Sequence, residues 1–160
     1  MEAYTRSVGL TSLVNQTNTG RVLRLPQDYA DMLGWEERVA AVARAYHALD
    51  PVRREEAVIL ADNWGEAGAL DFYGPRHGLP GVVSSSGSYW FFGPGSKPGA
   101  VVVIIGEKES SLRRSCDRVT VAERITNDWT VPEERDLSVL ICEEPRGTLQ
   151  QAWPGWAGRN

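Results

Sequence analysis

Two cysteines, two histidines and two methionines are all that the 160 residues hold of those types. His47, His77, Cys116 and Cys142 stand far apart, and none forms a CxxC or HExxH spacing. A structural or catalytic metal site is therefore not expected, nor is any cofactor. Basic clusters are also lacking. Arg113-Arg114 is too short to act as a patch, and the formal net charge is -4. That balance excludes nucleic acid and an anionic lipid surface as the main partner, because both reward runs of Lys and Arg. Long apolar runs are missing too: the longest, Ala100 to Ile105, is far short of the roughly 20 residues a membrane helix needs. Met1-Glu2-Ala3-Tyr4 opens without a basic or apolar leader, so no signal peptide is expected. Cys116 and Cys142 leave two readings open. A disulfide requires life outside the cytoplasm, while two separate half-buried thiols is the simpler expectation.

What is present is the composition of a folded chain, 42% hydrophobic and 24% charged. Residues 1–27 are polar and unpatterned and read as a lead-in; 28–160 read as one α/β domain. Asn15-Gln16-Thr17 fits the glycosylation pattern, a short motif that arises often by chance. From Trp35 to Leu49 apolar residues recur every three or four positions, which predicts a helix stopped by Asp50-Pro51. His47 falls off that stripe and is expected to be exposed. Ala57 to Ala61 is a short apolar run suited to a strand buried on both faces, and a helix over Ala67–Phe72 follows its polar turn. Strands are expected at 81–84, Ala100–Ile105, Val119–Ile125 and Leu137–Cys142. Short helices are expected at Glu109–Cys116 and Gly147–Trp153. The order predicts a Rossmann-like three-layer sandwich with a mostly parallel sheet of about five strands.

The residues then resemble a known family. Leu25-Pro26-Gln27-Asp28-Tyr29 through Gly34-Trp35 is similar to its opening. Asn63-Trp64-Gly65-Glu66-Ala67-Gly68 through Gly74-Pro75-Arg76, Gly78-Leu79-Pro80 and Ser88-Tyr89-Trp90-Phe91-Phe92-Gly93-Pro94 continue it, with Pro145-Arg146 and Trp153-Pro154 in the tail. Over roughly residues 20–155 the chain resembles the C-terminal soluble region of bacterial membrane glycosyltransferases of the dolichyl-phosphate-mannose–protein mannosyltransferase type (glycosyltransferase family 39). Members transfer a hexose from a polyprenyl phosphate through carboxylates in a multi-helix membrane part, which this chain lacks. The resemblance thus implies a non-catalytic accessory domain on the extracytoplasmic face of the cell membrane. Its partners would be the parent's membrane part and an acceptor or a polyprenyl-phosphate sugar. Ser84-Ser85-Ser86-Gly87-Ser88 departs from the family pattern, where a stretch bearing His and Asn is expected. A contact made there has changed or been lost if the stretch meets ligand. The alternative is a stand-alone soluble, cytoplasmic binding module for a small ligand or protein.

Candidate ligand residues follow from the rule that open α/β sheets bind beyond the carboxyl ends of their strands. The two loops so placed supply Asp62, Asn63, Trp64 and Glu66, and Ser88, Tyr89 and Trp90. Rings stack on sugar faces while carboxylates and amides take hydroxyls; equally, the rings can close the core edge. Glu66 reads first as a helix-terminal carboxylate, and Asp71 with Arg76 as a structural pair. No GxGxxG, GxxxxGK[ST] or GxSxG motif supports a nucleotide or hydrolase site, and no catalytic residue is assigned.

Overall fold

The computed structural model describes residues 3, 7, 15 and 20–157. They belong to two compact units: residues 1–34 with 126–136, and residues 35–125 with 137–160.

In the first unit, a short helix α1 (Gln27–Asp31) follows Pro26. Leu23, Ala30 and Val131 bury together with Leu25 against them, and the Arg24 guanidinium lies 4.1 Å from the centre of the Trp129 ring. Asn15 is fully buried, its side-chain amide donating to the Arg24 carbonyl. A side chain so placed does not present itself for glycosylation.

The second unit is built on one mixed sheet. Helix α2 (Trp35–His47) carries the expected apolar stripe, with Val39, Val42 and Tyr46 buried and His47 exposed. Asp50-Pro51 ends it and starts another helix. Asp50 accepts from the N–H groups of Val52 and Arg53, and Pro51 opens α3 (Pro51–Glu56), where a fixed φ and a missing N–H cost nothing. Then follow β1 (Val58–Ala61), α4 (Trp64–Tyr73), a 3₁₀ turn (Gly74–His77), β2 (Val82–Val83) and a 3₁₀ helix (Gly87–Phe92). β3 (Val101–Ile105), α5 (Glu109–Leu112), β4 (Cys116–Thr126), β5 (Asp136–Pro145), α6 (Leu149–Ala152) and a last 3₁₀ helix (Trp153–Trp156) complete the order. The helix expected over Glu109–Cys116 lasts four residues, because Cys116 already belongs to β4.

The strand order is β2-β1-β3-β5-β4. β1 runs parallel to β2 and β3, but β3 pairs antiparallel with β5, Val103 opposite Ile141. The sheet is therefore parallel through β2-β1-β3 and mixed beyond. Residues sort to its two faces with the two-residue period of a strand. Ile59, Ala61, Val101, Val103, Ile105, Val139 and Ile141 pack beneath α2 and α4. Val102, Ile104 and Cys142 face the other way, joined by Cys116, Leu60, Leu112 and Val119. On that second face the expectation of separate thiols is corrected: Cys116 and Cys142 form a disulfide, Cα atoms 5.7 Å apart. The two cysteines come from neighbouring strands, which brings their Cβ atoms within bonding reach.

Candidate functional site

From β1 the chain passes through α4 to β2 on one side, then returns to β3 on the other side of β1. The helix after β1 packs on the Ile59 and Ile105 face, whereas α5, after β3, sets Leu112 on the Ile104 face. Connections that diverge in this way leave a crevice at the carboxyl ends of the two strands, the usual ligand position of open α/β sheets. Asp62 directly follows β1 and donates its N–H to the Ile105 carbonyl at 3.1 Å. Ser84 to Ser86 follow β2, and Gly106 and Glu107 follow β3.

A cleft of about 790 Å³ lies along the second face of the sheet, starting from this crevice. Asp62, Ser85 and Glu107 line it at the carboxyl ends of β1, β2 and β3, and its floor is Leu60, Val102, Ile104 and the disulfide. Arg114, Ser115, Arg146 and Thr148 line it as well. These belong to the opposite end, because β5 runs against β3 and its last residues lie beside the first of β3. The Arg146 N–H donates to the Ser115 carbonyl at 2.8 Å, which brings the Arg114–Ser115 segment there too. The cleft is thus acidic at one end and basic at the other, separated by the length of β3, about 15 Å. Trp156, on the last 3₁₀ helix, adds an aromatic wall.

No family model, curated protein or solved structure matches the chain. What the site can do must come from its geometry.

Its electrostatics are uneven. Asp62 is exposed as a residue, yet enough protein surrounds its carboxyl group that burial pushes its pKa up, and the negative Glu107 nearby adds to the rise. A hydroxyl or ammonium donor arriving between the two would relieve this crowding. At the basic end the Arg146 Nε donates to Asp117 at 2.9 Å and its Nη1 to the Arg114 carbonyl. Arg146 is held in orientation, and the exposed Arg114 side chain stands beside it. Behind the crevice lies a second feature. Glu66 and Arg38, both buried, line one small interior space with Trp35 and Ile105. The Arg38 guanidinium lies 4.4 Å from the Trp35 ring centre. Gly106, at φ +89°, leaves room for the Glu66 carboxylate where a Cβ would stand.

The residues singled out from sequence divide between the cleft and other tasks. Asp62 lines the cleft. The Asn63 side chain accepts from the Glu66 N–H at 2.8 Å and caps α4, so the amide holds the helix start and Glu66 sits buried in the first turn. Trp64 points to solvent. Ser88 is exposed, and Tyr89 donates its hydroxyl to Asp71 at 2.8 Å. Arg76, expected to pair with Asp71, instead lies over the Phe72 and Tyr73 rings. Trp90 donates its indole N–H to the Trp153 carbonyl, and the Trp153 indole returns one to the Trp90 carbonyl at 3.2 Å. Glu107, Arg114, Arg146 and Trp156 were not among the expected residues; Glu107 lies just past β3 and carried the same signal as Asp62 after β1, whereas the other three are placed by strand order, which no local pattern announces.

The Tyr89 contact makes a prediction. Burial, then the hydrogen bond to Asp71 and the charge of Asp71, push the Tyr89 phenol up to about 12. Folding therefore favours the protonated phenol. The contribution is fully present below about pH 10, the phenol's unperturbed pKa, and is lost as pH rises through 12. In a spectrophotometric titration at alkaline pH, one of the five tyrosines should ionise late, and Tyr89→Phe should remove that late step. A wild-type curve with no step beyond pH 11 while circular dichroism still reports the fold would contradict the assignment.

Proposed function

We propose that the chain is a non-catalytic, extracytoplasmic ligand-binding domain whose switch-point cleft holds a sugar or sugar phosphate, including the head of a lipid-linked sugar. The observation that carries this is the charge-divided cleft. Asp62 and Glu107 suit hydroxyls, Arg114 and Arg146 suit a phosphate, and Trp156 with the apolar floor suits the C–H faces of a pyranose. The disulfide supports an oxidising compartment, since such bonds are rare in the cytosol. Under this reading the chain serves as the accessory domain of a membrane glycosyltransferase of the type it resembles and positions acceptor or donor. The parallel β2-β1-β3 core with its crevice is the Rossmann-like part of the design.

Protein-detected NMR with sugars, sugar phosphates and short-chain polyprenyl phosphates tests it. Saturable shifts are expected at Asp62, Ser85, Glu107 and Arg114 and at the Trp156 indole. Trp156→Ala should weaken binding about tenfold, about 1.4 kcal/mol. Arg114→Ala should weaken sugar phosphates and leave neutral sugars unchanged. Spectra that stay still at millimolar ligand would overturn the proposal.

A further inference from the structure

The charge-divided cleft also limits the length of what it holds, an inference that rests on the binding role proposed above. Among the described residues, Asp62, Glu107, Arg114 and Arg146 are the only charged side chains in its lining. They stand past opposite ends of β3. Asp62 follows Ala61, which pairs with Ile105, the last residue of the strand. Arg146 lies three residues beyond Glu143, which pairs with Val101, the first. The backbones of the two sets are thus separated by at least the length of β3, about 15 Å.

Arg146 does not close this gap, because its guanidinium is tied to Asp117 and to the Arg114 carbonyl beside the start of β4. Asp62, Glu107 and Arg114 make no ion pair with a described residue, so their charges are open to a ligand. Between the ends the floor is uncharged, formed by Leu60, Val102, Ile104 and the Cys116–Cys142 link. A hexose phosphate is too short to use both ends. From a phosphate oxygen to the hydroxyl across the ring is a path of seven bonds, which spans about 8 Å. Seated on the arginines, it leaves its far hydroxyl over the apolar floor and the carboxylates in water. A second pyranose ring adds about 5 Å and brings a hydroxyl within hydrogen-bond reach, about 3 Å, of Asp62 or Glu107.

We infer that the cleft selects a phosphorylated oligosaccharide of at least two pyranose rings, its phosphate at Arg114 and Arg146 and its terminal ring at Asp62 and Glu107. Length is selected by distance. The carboxylates contribute only once a second ring reaches them, and a hydrogen bond to an ionised acceptor is among the strong ones. The apolar floor meanwhile covers the C–H faces of the rings between the two ends. Because the two ends act on different parts of the ligand, their contributions should be separable by mutation.

The test is calorimetric titration of the full chain with two series of probes, glucose 1-phosphate against maltose 1-phosphate and mannose 1-phosphate against mannobiose 1-phosphate. In at least one series the disaccharide phosphate should bind at least tenfold more tightly, about 1.4 kcal/mol. Asp62→Asn with Glu107→Gln should reduce that ratio to about twofold. Arg114→Ala should weaken both members of a series and preserve their ratio. The first two substitutions keep size and shape, and circular dichroism and the melting temperature check that the fold is intact. Equal affinity for one and two rings in both series, or a ratio that survives the Asp62 and Glu107 substitutions, would overturn the length selection and leave a sugar-phosphate cleft standing. Absence of binding by every probe at millimolar concentration would overturn the cleft reading and this inference with it.

Discussion

Removing the disulfide, by Cys116→Ala with Cys142→Ala or by reduction, should lower the unfolding free energy by about 3.5 kcal/mol. The two cysteines are 26 residues apart, and a cross-link closing a loop of that size restricts the unfolded chain by about that amount in the chain-entropy account. For a protein of this length the melting temperature should fall by roughly 7–14 °C. The loss has a local side as well. Both sulfurs are buried in the floor of the cleft beside Val102 and Ile104, and the link fixes the start of β4, next to Arg114 and Ser115, against β5. Urea unfolding with and without reductant reads the effect, and thiol titration of the unfolded, unreduced chain should find no free thiol. Coincident unfolding curves would show that the bond contributes nothing.

Gly106→Ala should cost about 3 kcal/mol. An alanine at φ +89° adopts a backbone that L residues avoid, at about 1–2 kcal/mol. Its Cβ would also stand 2.3 Å from the Glu66 Oε2 and 2.9 Å from the Asp62 Cβ. Glu66 is buried, so its carboxylate has little space to yield, and any shift disturbs the interior it shares with Arg38. Gly95→Ala separates the two contributions, because Gly95 has φ +73° with nothing within 4 Å of the added Cβ. It should show the backbone cost alone. In a Glu66→Ala background Gly106→Ala should cost less than in the wild type, a coupling that a double-mutant cycle measures. Equal costs for the two glycine variants would remove the steric argument.

The strands were legible because their apolar runs are short and bounded by turn residues: 57–61 became Val58–Ala61, and Ala100–Ile105 became Val101–Ile105. Their directions were harder to read, since an apolar run has no polarity. One signal was available. Only residues 127–135 separate β4 from β5, too few for the dozen-residue crossover that parallel neighbours need. The start of α3 was similarly written in Asp50-Pro51, a side-chain cap followed by proline at the first helical position. Within the candidate site Asp62 could be found, because a polar residue just after a buried strand marks a carboxyl end. Glu107, just past β3, carried the same signal; Arg114, Arg146 and Trp156 come from three further chain segments. Only strand order and the antiparallel β5 bring them to one cleft with Asp62.

The first unit consists of two stretches, residues 1–34 and 126–136, and this division sets a sequence in time. On the ribosome, Leu23 and Ala30 wait for Val131, their partner in that unit's small core, through about 100 residues of elongation, roughly 5–20 s at ordinary rates. By then β1, β2 and β3 have all been made, while Cys142 is still to come. The parallel core can therefore assemble before the first unit closes, and the disulfide, which needs both Cys142 and an external oxidant to take up two electrons, can form only after β5 is made.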